Sequence, residues 1–199
     1  MLDQPPLTCI APACPERPEP GSLFCRPHEQ EPAGRRGGWV SAEKRRRKLA
    51  GARARFDASN ISTRLWIAGQ PPDHDLPEFD VIALCAQEMQ PQVPFHGLVL
   101  RCPIPDATLD PHQVMRAIVT GKRVAQHLAS GDRVLLTGVH GINRPALVAS
   151  FALAYITRLG DEEIVRLLRS RRDPRCLCNP HFQHLVRTLI GAGRPTTAR

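Results

Sequence analysis

Residues 135–150, LLTGVHGINRPALVAS, decide the fold, because they join an apolar run to a helical one through a short polar loop. The apolar residues before the loop are typical of a buried strand. The segment 144–160, RPALVASFALAYITRLG, is apolar nearly all round, which predicts a buried helix. Gly138 and Gly141 permit a tight, partly left-handed backbone between the two elements. We call residues 138–144 the glycine loop.

The glycine loop has the features of a phosphate site. A loop that leads from a strand into a helix exposes several backbone N–H groups, and the helix dipole adds partial positive charge. Arg144 can donate two N–H groups to two phosphate oxygens. A plain strand–turn–helix junction with a surface arginine is the alternative. The loop residues predicted to bind phosphate are Val139, His140, Gly141, Ile142, Asn143 and Arg144.

Strand-like and helical segments alternate along the rest of the chain, which predicts an α/β domain. Short β-type runs occur at 64–69, 79–85, 96–104 and 133–138, and helical patterns cover 111–131, 144–160, 161–172 and 179–191. We therefore expect a central, mostly parallel sheet flanked by helices.

The charge and the cysteines narrow the classes of function. The 199 residues carry a net charge of +8 with a pI near 9.6, which favours anionic partners, either nucleic acid or phosphorylated molecules. No run of 18 apolar residues occurs, so we expect no membrane span, and the N-terminus lacks the pattern of a secretory signal. We therefore expect a cytoplasmic protein whose seven cysteines bind metal or are buried.

The first 30 residues are predicted to form a small zinc-binding module. Cys9, Cys14, Cys25 and His28 have the spacing C-x4-C-x10-C-x2-H, and so little apolar sequence cannot fold on a core alone. Three thiolates and an imidazole suit tetrahedral structural Zn²⁺. The alternative is a disordered tail with incidental cysteines. The stretch resembles the small zinc modules at the front of phage HNH-type endonucleases, although no HNH core follows.

The segment after the cysteines is basic. Residues 31–58 are interpreted as a basic linker or helix, and 31–57 contain nine Lys/Arg against three acidic residues. Together with the zinc module, residues 1–57 are a candidate surface for nucleic acid through phosphate contacts. A regular domain is expected over 59–191, followed by a flexible tail at 192–199.

Residues 60–190 resemble a dual-specificity phosphatase of the cysteine-based protein tyrosine phosphatase superfamily, and bacterial and phage members look most similar. The family signature is His-Cys-x-x-Gly-x-x-Arg followed by Ser or Thr, and this chain has Thr-Gly-Val-His-Gly-Ile-Asn-Arg-Pro in the same frame. CPIPDATLDP places Asp106 at the position of the family's general acid, 32 residues before Gly138. RLWIAGQPP is similar to the family's first strand. The final helix carries the family's pattern at Asn179, Phe182 and Leu185.

The resemblance implies a phosphatase in which a cysteine thiolate attacks phosphorus, an aspartic acid protonates the leaving oxygen and an arginine stabilises the phosphoryl oxygens. Asp106 and Arg144 match these roles, but Gly138 occupies the nucleophile's position. Pro145 also lacks the hydroxyl that usually follows the arginine. Two departures fit a natural pseudophosphatase better than a single introduced substitution.

We therefore predict a protein that binds a phosphorylated ligand and is catalytically impaired. The ligand classes left open are a phosphorylated protein, a nucleotide and an RNA end. One alternative is an active phosphatase that acts on protein or RNA 5′-phosphates through an unrecognised nucleophile. Another is a nucleic-acid-binding accessory protein in which the phosphatase scaffold is inert.

Three further groups of residues have competing interpretations. Asp110 is an alternative acid, but its position before the helix at 111–131 favours N-capping. Cys176 and Cys178 are interpreted as packing residues. A cluster of basic residues either rims the phosphate site or forms a solvated helix face; its members are Arg169, Arg171, Arg172 and Arg175.

Overall fold

The structure is a computed structural model and describes residues 57–191. The predicted zinc ligands Cys9, Cys14, Cys25 and His28 lie outside the described residues, as do most of the basic segment and the tail at 192–199. Those assignments stay predictions.

The described residues form five strands, four α-helices and one turn of π-helix. The strands are β1 (Ala58–Ser62), β2 (Leu65–Ala68), β3 (Val81–Ala86), β4 (Leu98–Ile104) and β5 (Val134–Thr137). The helices are α1 (Pro111–Ala129), α2 (Arg144–Ile156), α3 (Asp161–Arg171) and α4 (Pro180–Val186), and the π-turn is Arg187–Gly191. All four predicted strands and all four predicted helices are present, and β1 is an additional strand.

The strands form one sheet in the order β1-β2-β5-β3-β4. β5 lies at the centre and runs parallel to both neighbours, with Thr137 paired to Ala68 on β2 and to Leu84 on β3. β3 and β4 are also parallel, and only the edge pair β1–β2 is antiparallel. The prediction of a mostly parallel central sheet is confirmed. Because β5 is central, the loop that follows Thr137 begins between the carboxyl ends of β2 and β3.

The two faces of the sheet are covered differently. Along β3, Val81, Ala83 and Cys85 belong to a large core shared with all four α-helices, whereas Ile82 and Leu84 point to a smaller opposite core. Within residues 57–191, the smaller core contains no helical residue and is completed by side chains from connecting segments. The helices that position the site therefore pack against one face.

Each helix has a local reason for its position. Asp110 caps α1: its carboxylate accepts the Gln113 N–H at 2.8 Å, and the Gln113 amide accepts the Asp110 N–H at 3.0 Å. This confirms Asp110 as a cap. α2 is buried over 11 of its 13 residues, as its apolar sequence predicts. Within residues 57–191, no helix is both long and apolar enough to span a membrane.

Candidate functional site

The glycine loop leaves the carboxyl end of β5 and enters α2 at Arg144. Gly138 continues the sheet for one more residue, because its N–H donates to the Gly69 carbonyl at 2.7 Å. Within residues 57–191, no hydrogen bond engages the backbone N–H groups of residues 139–143. The loop therefore presents a set of unpaired donors at a helix N-terminus, which is the arrangement that binds phosphate.

Gly141 is required by the geometry of the loop. Its φ is +69°, in the left-handed region, and a Cβ added there would lie 2.5 Å from the Ala68 carbonyl oxygen. The loop thus folds back against the end of β2, and only glycine allows that close approach. The sequence-based prediction that Gly141 permits a tight, left-handed turn agrees with this conformation.

Arg144 is buried at the start of α2 and is paired with a carboxylate. Its side chain is 6% exposed, and Nη1 donates to both carboxylate oxygens of Glu88 at 2.5 Å. The hydrogen bonds from Arg144 lower the pKa of Glu88 below its ordinary value. Glu88 itself is 55% exposed, so its carboxylate can move while the guanidinium stays in place.

Glu88 was not predicted as a site residue. It lies two residues beyond the carboxyl end of β3, and β3 neighbours β5 in the sheet. A polar residue just after a buried strand is the one sequence feature that could have identified it, since carboxyl ends of parallel strands meet at one edge.

We expect Glu88→Gln to strengthen the binding of a phosphorylated ligand. Glutamine keeps an acceptor for Arg144 but removes a negative charge that a phosphate dianion would meet. Removing one such charge near a partly exposed site corresponds to about a threefold to tenfold gain in affinity at neutral pH. The gain is measured by titrating a phosphopeptide into both proteins, with Glu162→Gln, an exposed carboxylate in the first turn of α3, as the control. Weaker binding by Glu88→Gln would show instead that the charge of Glu88 orients Arg144.

Asp106 is brought to the loop by two amide side chains. Asn143 Nδ2 donates to its two carboxylate oxygens at 3.2 and 3.0 Å, and Asn179 Nδ2 donates to Oδ1 at 3.0 Å. Asn143 belongs to the glycine loop, so the predicted general acid and the predicted phosphate loop are in direct contact. The sequence places Asn143 in the loop, but no sequence pattern indicates that its side chain links the loop to Asp106.

Residues 177–179, which precede α4, form hydrogen bonds with the glycine loop. The Leu177 N–H donates to the Ile142 carbonyl at 2.8 Å, and Leu177 adopts a φ of 58°, which is unusual for a residue other than glycine. Cys178 Sγ and the Asn179 N–H both lie within hydrogen-bond distance of Asn143 Oδ1, at 3.4 and 3.2 Å. Cys176 is buried as predicted, whereas Cys178 is exposed, which corrects its assignment as a packing residue.

A cleft of about 730 Å³ opens beside the glycine loop. Its charged lining consists of Asp57, Asp73, Asp173, Arg172 and Arg175, with His140 and Ile142 contributed by the loop. Arg175 pairs with Asp173 at 3.0 Å, and Arg172 pairs with Asp57. Two members of the predicted basic cluster therefore border this cleft, and each is paired with an aspartate.

Arg172 forms hydrogen bonds both with residues 57–59 and with the glycine loop. Its side chain is 7% exposed and donates to the Asp57 carboxylate at 2.8 and 2.5 Å, to Ser59 Oγ at 3.2 Å and to the His140 carbonyl at 3.2 Å. The hydrogen bond from Arg172 is the main reason that the pKa of Asp57 lies below its ordinary value of 3.8.

This pairing predicts an acid-sensitive contribution to stability. A carboxyl whose pKa is lowered by folding stabilises the folded state above its unfolded pKa, and the contribution is lost as the pH falls through the folded value. We expect the melting temperature of the wild type to fall more than that of Asp57→Asn when the pH is lowered from about 5 to about 3. Thermal unfolding across this range checks the prediction, and equal losses in the two proteins would contradict it.

The remaining cysteines of the described part are poor nucleophiles. Burial raises the pKa of the Cys85 and Cys102 thiols and raises that of Cys176 to about 11. A thiol must ionise to attack, so burial disfavours a nucleophilic role for these three groups. Among residues 57–191, no cluster of three or more His, Cys, Asp or Glu side chains could hold a metal ion.

Thr137 is a further departure from the phosphatase signature, which has histidine there. Thr137 is fully buried, and its hydroxyl donates to the Ala83 carbonyl at 3.4 Å. The Thr137 side chain therefore stabilises the sheet, and it does not reach the face that would bind phosphate.

Comparison with solved structures identifies the fold. Tk-PTP in its active form is 19% identical over 68% of this chain and 97% of that one, with a TM-score of 0.55. Human DUSP28 is 17% identical, with 69% and 95% covered and a TM-score of 0.52. A human tyrosine phosphatase-like serine/threonine/tyrosine-interacting protein is 20% identical, with 70% and 99% covered and a TM-score of 0.54.

These similarities show that residues 57–191 have the fold of dual-specificity and tyrosine phosphatases, as the sequence resemblance predicted. No protein-family model and no curated protein sequence matches the chain. The similarity therefore rests on structure.

Proposed function

We propose that the glycine loop binds a phosphate monoester without hydrolysing it. The observation that carries the proposal is the combination of a buried arginine, Arg144, with the unpaired N–H groups of residues 139–143. Backbone donors at a helix N-terminus and a guanidinium fork together complement a phosphoryl group. Gly138 supplies no atom that could form a bond to phosphorus.

The absence of a thiolate favours binding of the anion. In the phosphatases that this fold resembles, the thiolate lies directly below the phosphate and carries a negative charge. With Gly138 in that position, the charge repulsion is gone while Arg144 remains. Asp106 keeps its position through Asn143 and Asn179, but a general acid has no substrate bond to assist once the nucleophile is missing.

We propose a phosphorylated protein as the ligand class. Residues 57–191 contain 14 Lys/Arg and 13 Asp/Glu, so nearly all of the net charge of +8 lies outside them. The cleft beside the loop has three aspartates against two paired arginines. A single phosphate on a peptide can use the loop, whereas a polyanion such as RNA would meet these aspartates along its backbone.

The test is a titration of the full chain with a phosphotyrosyl or phosphoseryl peptide by isothermal calorimetry. The matched control is the same peptide without phosphate, and inorganic sulfate tests for binding of any tetrahedral anion. We expect saturable one-to-one binding of the phosphopeptide, at least tenfold tighter than either control. Equal binding of phosphorylated and unphosphorylated peptide would contradict the proposal.

A second candidate function is slow phosphatase activity through Cys178. Among the described cysteines it is the exposed one, and it lies 3.4 Å from Asn143 Oδ1, on the residue that also holds Asp106. If the full chain hydrolyses an aryl phosphate, Cys178→Ser must abolish that turnover for this candidate to hold. Turnover that survives the substitution would exclude Cys178.

For the N-terminal part, we propose that Cys9, Cys14, Cys25 and His28 bind one structural Zn²⁺ and that the basic residues after them contact nucleic acid. The proposal rests on ligand type and spacing in the sequence. Elemental analysis of the purified full chain is expected to give about one zinc per chain, and Cys25→Ser to lose it. Metal-free wild type would overturn the assignment.

A further inference from the structure

The backbone of Gly138 does not itself require glycine. Gly131 and Gly141 are the glycines of residues 57–191 that have positive φ, and Gly138 is not among them. Its φ is therefore compatible with a residue that carries a side chain. The reason for glycine at this position must lie in its surroundings.

Pro145 supplies that reason. A Cβ built on Gly138 would lie 2.9 Å from Pro145 Cδ and 3.4 Å from Pro145 Cγ, and within the described residues no other atom beyond its chain neighbours comes within 4 Å. Carbon atoms that are not bonded do not approach closer than about 3.4 Å without cost, because attraction gives way to repulsion there. Cδ is bonded to the backbone nitrogen, so the ring cannot rotate away.

The backbone around Pro145 cannot easily move either. Pro145 is in the first turn of α2 and is buried, and the helix after it is packed on nearly every side. Arg144, the preceding residue, has a side chain that is 6% exposed and hydrogen-bonded to Glu88. A shift of the proline ring by several tenths of an ångström would therefore displace the start of α2 and the phosphate-binding arginine with it.

We propose that Pro145 is a positioning residue that restricts position 138 to glycine. The family's cysteine at position 138 and its hydroxyl at position 145 are then lost together. The Pro145 ring, which replaces the hydroxyl, occupies the space that a side chain at position 138 would need. The inference deepens the proposed function and rests on it for what the loop binds. It also predicts that a thiol placed at position 138 alone does not restore a phosphatase.

A double-mutant cycle on the full chain tests this inference. Wild type, Gly138→Ala, Pro145→Ser and the double variant are unfolded in urea, and the change in midpoint caused by Gly138→Ala is compared in the two backgrounds. We expect the midpoint to fall at least twice as far beside the native proline as it does beside Pro145→Ser. Equal falls in both backgrounds would overturn the proposal.

Gly121→Ala is the matched control. The three atoms nearest to its added Cβ belong to Phe151, Ala152 and Val148, with Phe151 Cβ at 2.6 Å, so it should destabilise both backgrounds equally. If Gly138→Ala fails to fold, recovery on adding Pro145→Ser supports the proposal, and no recovery overturns it. A Gly138→Cys variant with wild-type stability would also overturn it.

The cycle measures unfolding and is independent of ligand. A wild type that fails to bind the phosphopeptide would therefore overturn the proposed function and leave the coupling of positions 138 and 145 standing. Conversely, additive effects in the cycle would remove the coupling and leave ligand binding untouched.

Discussion

Replacing Arg144 by methionine is expected to lower the affinity for a phosphopeptide by about 100-fold or more, since charge-assisted bidentate hydrogen bonds are among the strongest in proteins. Methionine keeps most of the buried volume of the side chain, which is 6% exposed, and removes only the charge and the donors. Glu88 is left without its partner but is half exposed, so water can solvate it. The fold should therefore persist.

A series at this position separates charge from geometry. Arg144→Lys keeps the charge but loses the planar fork, so we expect its affinity to fall between those of the wild type and the methionine variant. Arg175→Met is the control, because Arg175 lines the cleft beside the glycine loop and is 73% exposed. Calorimetric titration gives the affinities, and circular dichroism confirms folding. A methionine variant that binds as well as the wild type would contradict the proposed site.

Gly141→Ala is expected to cause the largest loss of stability among single substitutions in the loop. A side chain at a φ of +69° costs roughly 1–2 kcal/mol for the left-handed backbone alone. The added Cβ would also lie 2.5 Å from the Ala68 carbonyl oxygen, a backbone atom held in the sheet. We expect a total of about 3 kcal/mol or more, at the upper end of what single substitutions cause.

Gly131→Ala controls for the backbone contribution. Gly131 also has a positive φ, of 91°, but it follows α1 and does not belong to the glycine loop. We expect it to cost roughly 1–2 kcal/mol, the penalty that the left-handed backbone alone imposes on alanine. Urea unfolding of both variants gives the two values. Equal losses would mean that the contact with Ala68 contributes nothing.

Much of the site could be predicted because it is local in sequence. The strand, the glycines, Arg144 and the following helix lie within one continuous stretch, and a buried strand leading into a buried helix is recognisable from its apolar pattern alone. Asp110 was recognisable as a cap for the same reason. The strand β1 was missed because its sequence, ASNIS, is largely polar, and only its last two residues are buried at the edge of the sheet.

The unpredicted parts depend on contacts between distant residues. Glu88 pairs with Arg144 across 56 positions, and Asn143 reaches Asp106 across 37. No periodicity encodes such pairs, since they follow from the order of strands in the sheet. The close approach of Gly138 and Pro145 is near in sequence, but its size depends on how the loop turns into α2. The sequence shows that Gly138 and Pro145 both depart from the family signature. Only the structure shows that the two residues are in close contact.

The most direct test of the central claim is phosphorus NMR of the full chain mixed with an excess of an aryl phosphate. We expect the ester resonance to shift or broaden as protein is added, and no inorganic phosphate to appear beyond that in a protein-free sample. This result would show binding without turnover. Release of inorganic phosphate would show that the protein is a phosphatase with another nucleophile, and an unchanged ester resonance would show that the glycine loop does not bind phosphate monoesters.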